Sequence, residues 1–356
     1  MKCSGVNIGN LVFRKAISSL IGDYESSLPI TWKEANNLDF STESTTIISC
    51  ANWLGMGDQA ESSNLYRAKV VEKISGKCLV LGLGAQASHG EKLVLGPNTQ
   101  RLAKALASKC KILSVRDSTT ANSLEKAGVH NIEITGCPSN FINLDLKKSD
   151  YNSDHLKENC TWADINCLVS ESSGGNPLSL SVINRIYSIL AQSQGSSYIL
   201  QSPALLPLLY RKTNQLPDLY KPANIESIQT ITKLIKAKSR IFTSVDEWLF
   251  SSRFYDISFG MRIHGTMVPL QAGIPSILIA HDQRTSGLAK TMGIPQITCK
   301  EFVDKSYLRK PYELLNIFKN HVDQYIETRK DLSKKLLKVI ADNGFAPSLK
   351  FSEYCK

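Results

Sequence analysis

Short apolar runs alternating with helix-patterned segments dominate this chain, and that alternation restricts it to parallel α/β architecture. In the first half the pattern predicts strands at Thr46–Cys50, Cys78–Leu83, Ile112–Val115 and Ile132–Thr135, with helices at Gly57–Ile74, Thr99–Ser108 and Ser118–Ala127. Gly128 suits the C-cap of the last of these. A second series follows, with strands at Ile165–Val169, Tyr198–Gln201, Arg240–Thr243, Ile257–Phe259, Ser276–Ala280 and Gln296–Thr298. Its helices fit Leu178–Gln192, Ile225–Ala237, Val245–Phe250, Thr266–Ala272 and Ser286–Met292. Asp145–Thr161 is polar and charged without periodicity and reads as a linker. The Leu-, Lys-, Asp- and Glu-rich tail Pro311–Asn343 reads as helix. The expected fold is α/β: two doubly wound, Rossmann-like domains facing a cleft, over 1–150 and 151–310, followed by a helical segment at 311–356.

A length of 356 residues accommodates two cores. The net charge of +10 fits either a soluble basic surface or an anionic partner: a phosphate-bearing substrate, an acidic glycan or an anionic membrane face. The basic residues are dispersed, so no nucleic-acid partner is expected. The nine cysteines are scattered and none forms a C-x-x-C pair, which argues against a zinc site or a redox dithiol. Unpaired thiols fit a reducing cytoplasm. No long apolar run follows the N-terminus, so no signal peptide is expected. No stretch approaches the ~20 apolar residues of a membrane span, so any membrane contact is expected to be peripheral.

The segment richest in chemistry is Phe259-Gly260-Met261-Arg262-Ile263-His264-Gly265-Thr266. It stands at a strand-to-helix junction, where α/β folds bind ligands. If the strand continues through it, Arg262 and His264 project to one side. Arginine offers a fork of donors to phosphate or carboxylate, and histidine moves protons near neutral pH. Gly265 lets a ligand approach the backbone, and the helix that follows adds N–H groups that favour an anion.

Arg116, in Ser114-Val115-Arg116-Asp117-Ser118, also follows a strand. It either projects into the cleft or pairs locally, for example with Asp117. Leu81-Gly82-Leu83-Gly84-Ala85-Gln86 is half a dinucleotide fingerprint, with Ala87 where the third glycine belongs. A loop shaping the cleft floor is the safer reading, with Gln86 and His89 as ligand contacts. The N-terminal loop Gly5–Asn10 offers Asn7 and Asn10, and Asn52–Asp58 offers Trp53 for stacking on a sugar. In His281-Asp282-Gln283-Arg284, Asp282 and Arg284 fall on the same cleft edge as His264. P-loop, G-x-S-x-G, H-E-x-x-H and kinase motifs are absent.

Four blocks together resemble the polysaccharide pyruvyl transferases: Gly82–Gln86; Ser114–Asp117 with its helix; Ile132–Pro138; and Phe259–Gly273 continuing through Ile274-Pro275 to Asp282. The resemblance implies a two-domain fold of the GT-B type. It also implies transfer of pyruvate from phosphoenolpyruvate onto two hydroxyls of a sugar, giving a ketal and phosphate. Arg262 and His264 match the family's R-x-H pair, thought to serve the donor. Asn10 stands where many members have an acid, Cys137 replaces the acid of a G-D-P turn, and Ile165–Glu171 lacks an arginine often found there.

On this reading His264 is the general acid, Asp282 a base for the attacking hydroxyl, and Arg262 with Arg116 the anion clamp. Substrate contacts are expected at Gly265, Gln86, Asn7, Asn10, Trp53 and Arg284. No metal or cofactor is expected beyond phosphoenolpyruvate as donor substrate. The partners are that donor and a saccharide acceptor, free or lipid-linked, with the oligomeric state left open. The expected location is the cytoplasm, including the inner membrane face. Two alternatives are a nucleotide-sugar glycosyltransferase of similar architecture, for which no clear E-x₇-E pattern is found, and a non-catalytic glycan-binding protein.

Overall fold

The computed structural model describes residues 8–356 except 87–92, 152, 154–155, 173–174, 211, 214, 222–227, 306 and 308. Its strands are β1 (Thr45–Ser49), β2 (Asn52–Leu54), β3 (Lys77–Leu81), β4 (Gly84–Ala85), β5 (Leu113–Val115), β6 (Ile132–Ile134), β7 (Cys167–Ser170), β8 (Ser197–Ile199), β9 (Ser239–Arg240), β10 (Ile257–Gly260), β11 (Ser276–Ala280) and β12 (Gln296–Thr298). The first helices are α1 (Leu11–Leu20), α2 (Trp32–Asn36), α3 (Asp58–Glu72), α4 (Pro97–Lys109) and α5 (Ser118–Lys126). The second series is α6 (Pro177–Gln192), α7 (Leu206–Leu209), α8 (Ile228–Lys238), α9 (Val245–Ser252), α10 (Ile263–Gln271), α11 (Gln283–Met292) and α12 (Cys299–Asp304). Two helices close the chain, α13 (Pro311–Asp342) and α14 (Leu349–Cys355).

Every paired strand is parallel to its neighbour. The central strands β3, β7, β10 and β11 are mostly apolar and buried, as strands of a parallel sheet covered on both faces are. In Lys77-Cys78-Leu79-Val80-Leu81 all but the first residue are buried. In the first unit β1 pairs with β3 and β5 with β6, and a bridge between Leu83 and Val115 joins the two pairs. In the second unit the order is β12-β11-β10-β7-β8-β9. The chain starts at the centre on β7, moves out through β8 and β9, and returns to β10 on the other side. The switch point therefore lies between β7 and β10, where doubly wound sheets bind ligands. The parallel α/β fold expected from the sequence is observed, with a doubly wound six-stranded sheet in its second half.

Buried contacts divide the chain differently from the expected boundary at 150. One core, built from Ile48, Leu54, Val71, Leu102, Leu106 and Leu124 among others, serves the first unit. The helix α1 belongs elsewhere: Val12 and Ala16 are buried with Leu168, Ile199, Phe242 and Trp248 of the second unit. Phe13, Ile17 and Leu20 join the large core that holds both Leu81 and Phe259. The amphipathic face of α1 finds its apolar partner on the second sheet, and sequence order does not decide that. The helix α13 crosses back the other way. Asn343 at its end accepts from the Lys111 backbone N–H (2.7 Å) and donates to the Ile112 carbonyl (2.8 Å) of the first unit. Nor is 145–161 a solvated linker: Leu146 and Leu156 are buried, and the Tyr151 hydroxyl donates to the Leu270 carbonyl.

Candidate functional site

The strand β10 ends at Gly260, so Arg262 and His264 do not share a strand face as expected. Gly260 turns the chain with φ +148°, and a Cβ there would lie 2.1 Å from Ser170 Oγ. Arg262 takes the N-cap position of α10, and His264 falls in the first turn of that helix. The two side chains nevertheless line one cavity of about 160 Å³, with Asn10, Phe13, Ala51, Asn52, Arg116, Gln201, His281, Arg284, Thr285 and Leu288. Among the described residues three arginines and two histidines face it and no carboxylate does. The cavity is smaller than the ~300–1,000 Å³ of drug-sized ligand sites, so it suits a small anion.

Arg116 resolves in favour of the cleft. It is 4% exposed and donates from Nε to the Gly82 carbonyl (2.8 Å), from Nη1 to Asn52 Oδ1 (2.9 Å) and from Nη2 to the Cys50 carbonyl (3.2 Å). Gly82 presents its carbonyl from a φ of +69°, with Pro138 packed where a Cβ would stand. All these acceptors are neutral, and no carboxylate among the described residues pairs with this guanidinium. Buried charges are normally paired, and this one is met by neutral hydrogen-bond acceptors alone among the described residues.

Arg262 is different. Its Nη2 donates to Glu171 Oε1 at 3.1 Å, and its side chain is 31% exposed. His264 is buried, with its ring edge-on to Phe13 at 4.9 Å and Nε2 4.0 Å from Cys137 Sγ. Burial, and then the charge of Arg116, pull its pKa down to about 3, so the free protein holds a neutral imidazole. His281 is lowered too, chiefly by burial, with Asp282 opposing.

Several expected contacts lie elsewhere. Asp282 is outside the cavity lining and caps α11, accepting from the Thr285 N–H at 2.6 Å and pairing with Arg284 at 3.2 Å. Burial raises its pKa, but Arg284, His281 and Thr285 outweigh this and hold it below the usual carboxylate value. That makes it a poor base. The bare backbone of Gly265 serves packing, since a Cβ there would lie 2.2 Å from Ser170 Cβ and 2.5 Å from Gln201 Oε1. Trp53 stacks edge-on to Trp32 (5.3 Å) beneath Arg67 (4.8 Å), and its neighbour Asn52 is the cavity residue. Gln86 is exposed and outside the lining. Asn10 and Arg284 do line the cavity, whereas Asn7 and His89 lie outside the described residues. Phe13, Asn52, Glu171 and Gln201 were not singled out from the sequence. The helical spacing of Leu11, Val12, Ala16, Ile17 and Leu20 was the signal for the element that carries Phe13.

Among the described residues no cluster of His, Cys, Asp or Glu could hold a metal, and no helix is long and apolar enough to cross a membrane. The fold and the site define a parallel α/β protein with an arginine-lined cavity at its switch point. The chain belongs to the polysaccharide pyruvyl transferase family, whose pattern it matches over residues 7–283, and is thus a transferase acting on saccharides. No curated protein matches it. Among solved structures, an uncharacterized protein of Klebsiella pneumoniae shares 12% identity, covering 81% of this chain and 85% of that one, at a TM-score of 0.41. A putative UDP-N-acetylglucosamine 2-epimerase of Listeria monocytogenes shares 10%, covering 98% and 84%, at 0.42. Likenesses this remote say nothing about chemistry.

Proposed function

We propose that the chain transfers the pyruvyl group of phosphoenolpyruvate to two hydroxyls of one sugar in a polysaccharide or its precursor. The methylene carbon of the donor takes a proton, and the resulting oxocarbenium carbon is attacked by the first hydroxyl. The second hydroxyl then displaces phosphate and closes the ketal. Of the two hydroxyl protons, one balances that taken up at carbon and the other leaves with phosphate.

The observation that carries this reading is the buried Arg116 guanidinium, with only neutral acceptors, facing the same cavity as Arg262 and His264. Arg116 and Arg262 hold the donor's phosphate and carboxylate. His264 is the proton donor. His264 is neutral in the free protein, so this role requires it to take up a proton as the anionic donor binds beside it and favours the imidazolium. The eight described cysteines are all free thiols, which supports a cytoplasmic setting.

The test is phosphate release that requires both phosphoenolpyruvate and a glycan, with a pyruvate ketal found on the glycan by mass spectrometry. Release should be abolished in His264→Ala. Thermal stabilisation by nucleotide sugars, without any by phosphoenolpyruvate, would refute the assignment.

A further inference from the structure

The carboxylate of Glu171 is wholly buried, directly after β7 at the switch point. Both of its oxygens are saturated. Oε2 accepts from the backbone N–H groups of Gln201 (2.7 Å) and Ser202 (3.0 Å). Oε1 accepts from Ser202 Oγ (2.6 Å), the Tyr220 hydroxyl (2.6 Å) and Arg262 Nη2 (3.1 Å). Four of these five donors come from the ends of β8 and the segment beyond it, so the carboxylate is fixed before Arg262 reaches it. Glu171 itself is not in the cavity lining, whereas Arg262 is.

We infer that Glu171 is a positioning residue: it anchors one arm of the Arg262 guanidinium so that the remaining donors are presented to the ligand. A guanidinium on a flexible stem loses much of its advantage unless its fork is oriented in advance. The anchor also divides labour between the arginines. Arg262 is charge-compensated and contributes direction, whereas Arg116 has no carboxylate partner among the described residues and contributes net attraction. The role in binding phosphoenolpyruvate rests on the function proposed above, but the anchor itself does not.

The experiment has two arms. In the first, the side-chain Nη–H signals of arginine are followed by ¹⁵N NMR in the unliganded full chain. Wild-type protein should show slowly rotating Nη–H groups for Arg262, assigned by their absence in Arg262→Lys. Glu171→Gln should lose them and keep those of Arg116. Glu171→Asp keeps a charge in the same buried network but retracts it by one methylene, and should show the same loss if Glu171→Gln fails to fold. Unchanged Arg262 signals in either folded variant overturn the anchor, whatever the protein binds.

In the second arm, turnover of phosphoenolpyruvate is measured in a double-mutant cycle of Glu171→Gln with Arg262→Gln. Glu171→Gln alone should lower kcat by about tenfold, with the KM for phosphoenolpyruvate moving less, and have no further effect once Arg262 is gone. Additive losses, as a merely structural role would give, overturn the positioning role. Failure of wild-type protein to turn over phosphoenolpyruvate defeats the proposed function, and the NMR arm still decides the anchor.

Discussion

Arg116 and His264 come from different units of the chain and rest against one ring, that of Phe13. The guanidinium carbon lies 4.8 Å from its centroid and the imidazole centroid 4.9 Å. Burial, and then the nearby charge of Arg116, hold His264 neutral. The first predictions follow from that coupling.

Arg116→Lys should weaken binding of phosphoenolpyruvate roughly 10- to 100-fold, the cost of losing charge-assisted hydrogen bonds worth ~1.5–3 kcal/mol. Lysine cannot keep the contacts to Gly82, Asn52 and Cys50 and still present donors to the cavity. Isothermal titration calorimetry checks this, alongside melting curves that exclude unfolding. Unchanged affinity would remove Arg116 from the site.

Binding of phosphoenolpyruvate should carry a proton into the protein. The neutral His264 of the free protein gains a neighbouring anion, so the complex binds more protons and affinity rises as the pH falls. Calorimetry in buffers of different ionisation enthalpy measures the uptake. His264→Asn should show less of it than wild type, which corrects for the ligand's own titration.

Stability should follow the same group in the opposite sense. The native pKa of about 3 lies below the ordinary value of 6.5, so between them the unfolded chain takes up a proton that the native imidazole refuses. Stability is therefore fully present above the ordinary value and declines as pH falls toward the native one, by at most ~1.4 kcal/mol per pH unit. Denaturant melts of wild type and His264→Gln from pH 7 to 4 test this, and the variant should show the shallower decline.

Gly265→Ala should destabilise the protein by ~1–3 kcal/mol, because the new methyl meets Ser170 and Gln201 within a packed core. Gly287→Ala, inside α11 with nothing within 4 Å of the added Cβ, should stabilise it by up to ~1 kcal/mol. Thermal denaturation of the pair separates packing from backbone propensity.

Asp282→Asn should leave turnover within a few-fold of wild type. Asparagine caps a helix about as well as aspartate, and the carboxylate stands outside the cavity. A loss of several orders of magnitude in steady-state kinetics would restore Asp282 as a base.

The alternation of apolar runs and helices was enough to establish parallel α/β architecture, because the central strands β3, β7, β10 and β11 are buried and read as continuous apolar runs in the sequence. It also marked the junction carrying Arg262 and His264, since strand ends are local. In the sequence Arg116 could equally reach that junction or pair locally, and tertiary structure brings it there across more than a hundred residues of chain. It also assigned α1 to the second unit, and so placed Phe13 between the two. The same holds for Glu171, which looks like one acid after a strand until the switch point sets it beside Arg262. Whether Trp53 faces a ligand or Trp32, and whether Gly265 makes room for substrate or for Ser170, depended on what the fold packs opposite each. Local pattern records how much of a segment is buried; which partner buries it is a property of the assembled sheets.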